Sequence, residues 1–158
     1  MDAPSPARLY ATLAGAFLLV FGIVGFFYSA SFGAPGAVDD ALGAFRCNAW
    51  LNLLHIGAGA LGLLLAGVAA RGYALALGAL FTALGIWGFV LGGEAAILGF
   101  LPASNGDDWL HLGLGLLGLL AAAGTPKSLT RGSLGTKYVA KEPQDGDSQD
   151  VVRKARNT

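Results

Sequence analysis

Residues Arg8 to Phe26 read RLYATLAGAFLLVFGIVGF, and residues Arg71 to Phe89 read RGYALALGALFTALGIWGF. The two stretches align at an offset of 63 residues, with an arginine, a tyrosine, three glycines and a phenylalanine among the identities. A second match lies at an offset of 56 residues. The pattern N-x-x-H-x-G-x-G-x-x-G begins at Asn52, and the pattern D-x-x-H-x-G-x-G-x-x-G begins at Asp108. The first helical segment therefore resembles the third, and the second resembles the fourth. This pattern predicts a tandem duplicated helical hairpin.

The composition is that of a membrane protein. Only 13% of the residues are charged and the mean hydropathy is +0.61, whereas about 25% of the residues are charged in soluble domains. The charges also leave long uncharged runs, and about 20 apolar residues cross the hydrocarbon core of a bilayer. We therefore predict an all-α fold, a four-transmembrane-helix bundle, with spans at about 8–30, 48–69, 72–92 and 107–124.

The basic residues predict the orientation, because Lys and Arg in short loops stay on the cytoplasmic side. Arg8, Arg71 and the basic residues after the fourth span fall on one side of a four-span chain, and only Arg46 falls on the other. We expect a multi-pass membrane protein with residues 1–7 and the C-terminus in the cytoplasm. Residues 125–158 hold seven Lys or Arg and four Asp or Glu, which predicts a disordered cytoplasmic tail.

Several residues are expected at the edges of the membrane. Tyr10 and Tyr73 each follow an arginine by two residues, which is typical of the aromatic belt at the interface. On the outer side, residues 41–45 and 96–100 match at an offset of 55. Both segments are too short to span and too apolar for a free loop, so we expect short interfacial or re-entrant segments.

Glycines recur at spacings of three and four on each predicted helix, which places them on one face. In lipid, close backbone approach at small residues drives helix association. We therefore predict that the 25 glycines serve mainly as packing surfaces in a compact bundle with a pseudo-twofold axis along the membrane normal. Gly57 and Gly113 lie off this stripe and are candidates for a second contact.

His55 and His111 are the only histidines of the chain and occupy equivalent positions in the two copies. An ionisable side chain within a span is costly and is a candidate functional residue. Our first hypothesis is structural, with both histidines joining the second and fourth helices through hydrogen bonds with Asn48, Asn52 and Asp108. In particular, Asp108 precedes His111 by three residues, so its carboxylate is placed to hold the imidazole N–H.

Two alternatives use the same histidines as ligands. The pair, with Asn48, Asn52 and Asp108 around it, is a candidate site for a quinone, a lipid headgroup or a small amphiphile. It is also a candidate pair of axial ligands for haem b. A zinc site that adds Asp108 is less specific. We expect no cofactor and no metal as the leading prediction.

The remaining chemistry of the sequence does not indicate an enzyme. The few hydroxyl side chains inside the predicted helices have no base beside them, as nucleophilic catalysis would require. Cys47 is the only cysteine, so neither a disulfide within the chain nor a cysteine-based metal site is expected.

The run Phe45-x-x-Asn48-x-x-x-Asn52-x-x-His55-x-x-x-Gly59-x-x-Gly62 and the later Asn105-x-x-Asp108-x-x-His111-x-x-x-Gly115 resemble a family of small four-helix bacterial membrane proteins, domain of unknown function 4383. The resemblance covers residues 8–124 and implies an integral protein of the bacterial inner membrane without an activity to transfer. We expect a non-enzymatic accessory or scaffold component whose partners are the bilayer and further copies of itself or a larger complex, without nucleic acid. A redox protein that binds haem or quinone is the alternative, and a small-solute transporter comes third.

Overall fold

The computed structural model of the protein describes residues 4–32, 39–41, 45–92 and 96–126. In this part of the chain the all-α class expected from the sequence is confirmed, because helices dominate and four of them follow one another. The elements in chain order are α1 (Pro6–Gly25), β1 (Asp39–Ala41), β2 (Phe45–Cys47), α2 (Ala49–Leu65), α3 (Ala70–Leu91), β3 (Ala96–Ile97), β4 (Leu101–Pro102) and α4 (Asn105–Ala123).

Three of the helices start where a side chain caps their first turn. The Ser5 hydroxyl, the Asn48 carboxamide and the Ser104 hydroxyl accept from the backbone N–H three residues on, at the starts of α1, α2 and α4. Such caps satisfy amides that a first turn leaves without partners. The caps place the start of α1 two residues before the predicted position. The end of α1 at Gly25 also falls five residues short of the predicted span, because residues 26–28 form turns.

The helices pack as two pairs, α1 on α2 and α3 on α4, and glycines lie at both contacts. A Cβ atom at Gly22 would stand 2.6 Å from the Asn52 carbonyl oxygen, and one at Gly85 would stand 2.8 Å from the Asp108 carbonyl oxygen. The backbones therefore approach too closely for any larger residue at these positions. Gly57 and Gly113 have nothing within 4 Å of such a Cβ atom, so these two glycines do not form packing surfaces within the described bundle.

The described parts of both apolar segments take part in small antiparallel β-hairpins. Strand β1 pairs with β2, and β3 pairs with β4. Leu98, Gly99 and Phe100 connect β3 to β4, and the first two have φ values of 55° and 80°, a left-handed pair of the kind found in tight hairpin turns. The Asn48 carboxamide, at the start of α2, donates to the Phe100 carbonyl at 2.6 Å, which joins α2 to the second β-hairpin.

Two tyrosines connect the copies within the bundle. The Tyr10 hydroxyl of α1 donates to the Leu114 carbonyl of α4, and the Tyr73 hydroxyl of α3 donates to the Ala58 carbonyl of α2, both at 2.9 Å. Both side chains are buried. The prediction that they form an interfacial aromatic belt is therefore wrong: Gly118 and Gly62 leave room for the two phenol rings between the helices.

Thr125, which the sequence analysis assigned to the tail, is bonded to the bundle. Its hydroxyl accepts from the Ala7 amide at 2.9 Å and donates to the Ala121 carbonyl at 2.8 Å, and its carbonyl accepts from the Arg71 side chain at 3.1 Å. The compact unit that contains α1–α4 ends at Pro126. The predicted disorder of residues 127–158 lies outside the described residues.

Large apolar side chains cover the outside of all four helices. Examples with more than half of their surface exposed are Leu13, Val20, Leu61, Leu64, Ile86, Val90, Leu117 and Leu120. By length and composition, α1 and α3 could each cross a membrane; α2 is apolar but shorter, at 17 residues. The interior of the unit, in contrast, holds a group of buried polar side chains.

Candidate functional site

The two histidines contact each other directly. The Nε2 atoms of His55 and His111 lie 3.2 Å apart, which is a hydrogen-bond distance, and the side chains are only 1% and 2% exposed. If both rings are neutral, one Nε2–H donates and the other Nε2 accepts, so the two rings hold opposite tautomers. The structure thus brings together the two residues that the sequence singled out, one from each copy.

Aromatic rings enclose this pair. Phe21 of α1 packs edge-on against His55 at a centroid distance of 5.3 Å, and Phe81 of α3 packs edge-on against His111 at 4.8 Å. The backbones of α2 and α4 approach each other less than those of α1 and α3 do. The histidine side chains therefore bridge the wider diagonal of the bundle, and the phenylalanines from the other diagonal fill the space beside them.

The polar residues expected to bond the histidines bond elsewhere. The Asn52 carboxamide donates to the Ser29 carbonyl at 2.9 Å, and Asn48 caps α2 and reaches Phe100. Neither Nδ1 atom of the pair, of His55 or of His111, has a hydrogen-bond partner among the described residues. The structural hypothesis is therefore changed in its details, because each histidine bonds the other histidine instead of these neighbours.

Asp108 also differs from the expectation. Its side chain is 1% exposed, and neither carboxyl oxygen has a hydrogen-bond partner within the described ranges. The carboxyl group packs against Gly88 of α3, where any Cβ atom would overlap it. The predicted bond between Asp108 and His111 is absent here, because the carboxyl group packs on α3 while the imidazole ring bonds across the bundle.

Asp107, one residue earlier, is well bonded on one side. Its Oδ2 atom accepts from the Arg46 amide at 2.9 Å and from the Ser104 hydroxyl at 2.6 Å. The first of these bonds joins β2 of one copy to α4 of the other. Its Oδ1 atom is buried and lacks a partner in the described part of the chain. Asp107 is therefore a buried acidic group with one oxygen still able to accept a hydrogen bond.

A cavity of about 40 Å³ lies beside His55 and under the first β-hairpin. Asn52, His55 and Asp107 contribute polar atoms to its wall, and Phe21 and Phe45 contribute aromatic surface. The other lining residues are Val24, Gly25, Tyr28, Arg46, Cys47 and Leu51. At roughly 10–15 Å³ for each water molecule, the cavity has room for about three waters and is too small for an aromatic cofactor.

The geometry of the pair limits what it can hold. Haem ligation from both sides needs two metal–nitrogen bonds of about 2 Å in line, or about 4 Å between the nitrogens. The observed 3.2 Å is shorter, and no space for a macrocycle separates the rings. No cluster of three His, Cys, Asp or Glu side chains that could hold a metal occurs among the described residues, so the zinc site with Asp108 does not fit either.

Three features of the site were missed by the sequence analysis. The spacing Ser104-x-x-Asp107 is a capping pattern, and it was a signal for the buried bond between these two side chains. Tyr10 and Tyr73 were assigned to the membrane interface because each follows an arginine by two residues. The hydrogen bonds by which their hydroxyls join the two copies were not expected. The cavity had no signal in the sequence, since it depends on where β2 sits relative to α1.

One comparison with known proteins identifies the family of the chain. The family model described as "Domain of unknown function (DUF4383)" matches residues 8–124, about three-quarters of the chain. That range begins in the first turn of α1 and ends just after α4, so it takes in both helix pairs and the histidine pair. No curated protein and no solved structure matches the chain. The chain belongs to the DUF4383 family.

Proposed function

We propose that this protein is a four-span membrane protein with a non-enzymatic role, an accessory or scaffold component whose lipid-facing surface meets further copies of itself or the subunits of a larger complex. One observation carries the proposal: hydrogen bonds of the described interior side chains Tyr10, Tyr73, His55 and Asp107 join one helix pair to the other, while the outside is apolar on all four helices. A bundle of this kind supplies a stable surface inside the bilayer.

The lengths of the helices support four spans. At about 1.5 Å per residue, the 20, 17, 22 and 19 residues of α1–α4 extend over roughly 26–33 Å. The hydrocarbon core is about 30 Å thick, and a short span can be accommodated by local thinning. Trp50 and Trp109, near the starts of α2 and α4, are partly exposed, as anchors at an outer interface would be. The distribution of basic residues supports an orientation with both termini in the cytoplasm, and the family resemblance supports the bacterial inner membrane as the location.

The interior contacts support a role in assembly over one in catalysis. His55 bonds His111, the two buried tyrosines bond carbonyls of the opposite pair, and the β2 amide of Arg46 bonds Asp107. Each of these groups is used to hold the two copies together. A reacting group needs an open side toward a substrate, and the histidine rings are almost entirely buried.

The redox and transport alternatives have less support. The separation of the two Nε2 atoms leaves no room for haem, and the cavity is smaller than a quinone ring. None of the four described helices is interrupted along its length, whereas transporters commonly use broken helices at their binding sites.

Reporter fusions test the four-span topology. Alkaline phosphatase, which is active only outside the cytoplasm, is fused after residues 36, 68, 94 and 126, and a fluorescent protein, which folds in the cytoplasm, is fused at the same positions. We expect phosphatase activity at 36 and 94 and fluorescence at 68 and 126. Phosphatase activity at 68 or 126 would contradict the proposal. Cross-linking in membranes, followed by mass determination, then identifies whether copies of this chain or other subunits lie against α1–α4.

A further inference from the structure

The tyrosine contacts that join the two helix pairs are the same in both directions. Tyr10 of the first pair, α1 and α2, donates to the Leu114 carbonyl of the second pair, α3 and α4, at 2.9 Å. Tyr73 of the second pair donates to the Ala58 carbonyl of the first pair, also at 2.9 Å. In the sequence repeat Tyr10 is equivalent to Tyr73, and Ala58 is equivalent to Leu114. The surfaces by which the pairs bind each other are therefore nearly self-complementary, as in an isologous dimer.

The histidines and two glycines repeat this relationship. His55 bonds His111, which is its own equivalent in the other copy. Gly62 and Gly118, which are also equivalent, each leave room for the tyrosine ring of the opposite pair. By these contacts alone, either helix pair of a second chain would fit the surface that α1 and α2 present to α3 and α4.

Two other hydrogen bonds between the pairs run in one direction only among the described residues. The Arg46 amide, before α2, donates to Asp107 Oδ2 of α4 at 2.9 Å. The Asn48 carboxamide donates to the Phe100 carbonyl at 2.6 Å. In the first copy the residue equivalent to Asp107 is Leu51, so a contact between two first pairs would lose the bond from Arg46, at a cost in stability. The polar bonds therefore favour a first pair with a second pair over two like pairs.

The connection between the two pairs permits this combination between two chains. Residues 66–69 form turns between α2 and α3, and no side-chain hydrogen bond caps the start of α3. When extended, four residues reach roughly 13–14 Å, which exceeds the roughly 8–10 Å between the axes of packed helices. The second pair can therefore follow α2 into a neighbouring bundle while both pairs stay intact.

We propose that two copies of the chain exchange helix pairs, so that the first pair of each chain packs on the second pair of the other. This assembly rests on the four-span topology proposed above and names a second copy of the chain as the partner. Each bundle of the dimer keeps the histidine bond, the two tyrosine bonds and the bond from Arg46 to Asp107. Because the contacts between the pairs are retained, exchange is a low-cost route to a dimer.

Chains of all 158 residues in which one helix pair is damaged test the exchange. Gly59→Leu places a side chain on the Leu19 amide of α1 and damages the first pair. Gly115→Leu places one on the Thr82 amide of α3 and damages the second pair. A bundle of two undamaged pairs can then form only from one chain of each kind. The two variants carry different affinity tags, are expressed together, and are recovered from detergent-solubilised membranes through one tag.

Gly57→Leu and Gly113→Leu are the matched controls, because a Cβ atom at either glycine meets nothing within 4 Å. Chains with these substitutions keep both pairs intact and should be recovered together no better than two unsubstituted chains. A damaged variant that is absent from the membrane fraction is replaced by alanine at the same glycine.

We expect Gly59→Leu to be recovered with Gly115→Leu several-fold more than either variant is recovered with a second copy of itself. Adding Asp107→Leu to the Gly59→Leu chain should lower this recovery by about tenfold, because the intact second pair loses the acceptor for Arg46. Equal recovery of unlike and like combinations would overturn the exchange and leave association through the lipid-facing surface in place. Absent recovery of the unlike combination would also overturn the exchange. Unchanged recovery with Asp107→Leu would overturn the selection of unlike pairs by this bond.

Discussion

The carboxyl group of Asp108 packs directly against Gly88, at the position where the carboxamide of Asn52 packs against Gly25 in the other copy. The Asn52 amide donates to the Ser29 carbonyl, whereas the Asp108 oxygens have no partner in the described ranges. An unpaired buried acid costs stability. The second copy therefore carries an unfavourable side chain at a position where the first copy carries a satisfied one.

Asp108→Asn should consequently raise the free energy of unfolding, by about 1–3 kcal/mol. The neutral amide of asparagine costs less to bury without a partner than a carboxyl group that can ionise. Asp107→Leu is the comparison and should lower the free energy of unfolding, because it removes the Oδ2 atom that accepts two hydrogen bonds. Thermal unfolding in detergent, followed by circular dichroism, measures both. A fall in stability for Asp108→Asn would mean that the carboxylate has a partner that compensates its burial.

Two glycines of α2 should respond in opposite ways to the same substitution. A Cβ atom at Gly59 would overlap the Leu19 amide and stand 2.7 Å from the Gly15 carbonyl oxygen, whereas one at Gly57 would meet nothing within 4 Å. Gly59→Ala should destabilise the bundle by about 1–3 kcal/mol through overpacking. Gly57→Ala should be neutral or stabilising by up to about 1 kcal/mol, because alanine favours helix.

The same unfolding assay separates these two variants. Equal losses of unfolding free energy in Gly59→Ala and Gly57→Ala would contradict the prediction. They would show that another chain covers the exposed face of α2 in the natural assembly. Gly115→Ala and Gly113→Ala repeat the comparison in α4, where Thr82 takes the place of Leu19.

The buried tyrosines give a prediction about how the two helix pairs are joined. Tyr10→Phe and Tyr73→Phe each remove one hydrogen bond between the pairs and should each lower the free energy of unfolding by about 1 kcal/mol. Tyr28→Phe is the control, since this side chain is 45% exposed. Loss of stability in all three variants alike would indicate that the hydroxyls do not act through these bonds.

Much of the fold could be predicted from the sequence, because it depends on local patterns. The spacing of the glycines predicted the faces by which the helices pack. The uncharged runs predicted most helix ends to within a few residues. The end of α1 was misplaced by five residues, since apolar residues continue through a turn after Gly25 and hydropathy does not distinguish a turn from a helix.

The site could be predicted only in part. His55 and His111 were identified as candidates because they occupy equivalent positions in the two copies. The repeat also predicts that they lie at a similar depth in the bundle. Their partners depend on the distance between α2 and α4, which the sequence of either helix does not contain. For this reason the sequence suggested bonds to Asn52 and Asp108, the nearest polar residues along the chain, and not the bond across the bundle.

The separation of the histidine rings predicts the colour of the protein. With Nε2 atoms 3.2 Å apart, the pair has no room for haem between the rings. The purified, detergent-solubilised protein should lack a Soret band before and after reduction with dithionite, and should stay colourless after incubation with haem. A band that sharpens on reduction and is lost in His55→Ala would overturn this prediction and place haem between α2 and α4.

A double-mutant cycle measures what the histidine pair contributes to the fold. His55→Ala and His111→Ala each remove the same hydrogen bond and leave the other ring with an unpaired Nε2 atom in an apolar surrounding, which is the costly situation for a buried polar group. The double variant removes both rings and leaves no unpaired nitrogen. Its loss of stability should therefore be smaller than the sum of the two single losses, by about 1–3 kcal/mol. If the losses simply add, or if neither single variant changes the free energy of unfolding, the pair does not hold α2 against α4.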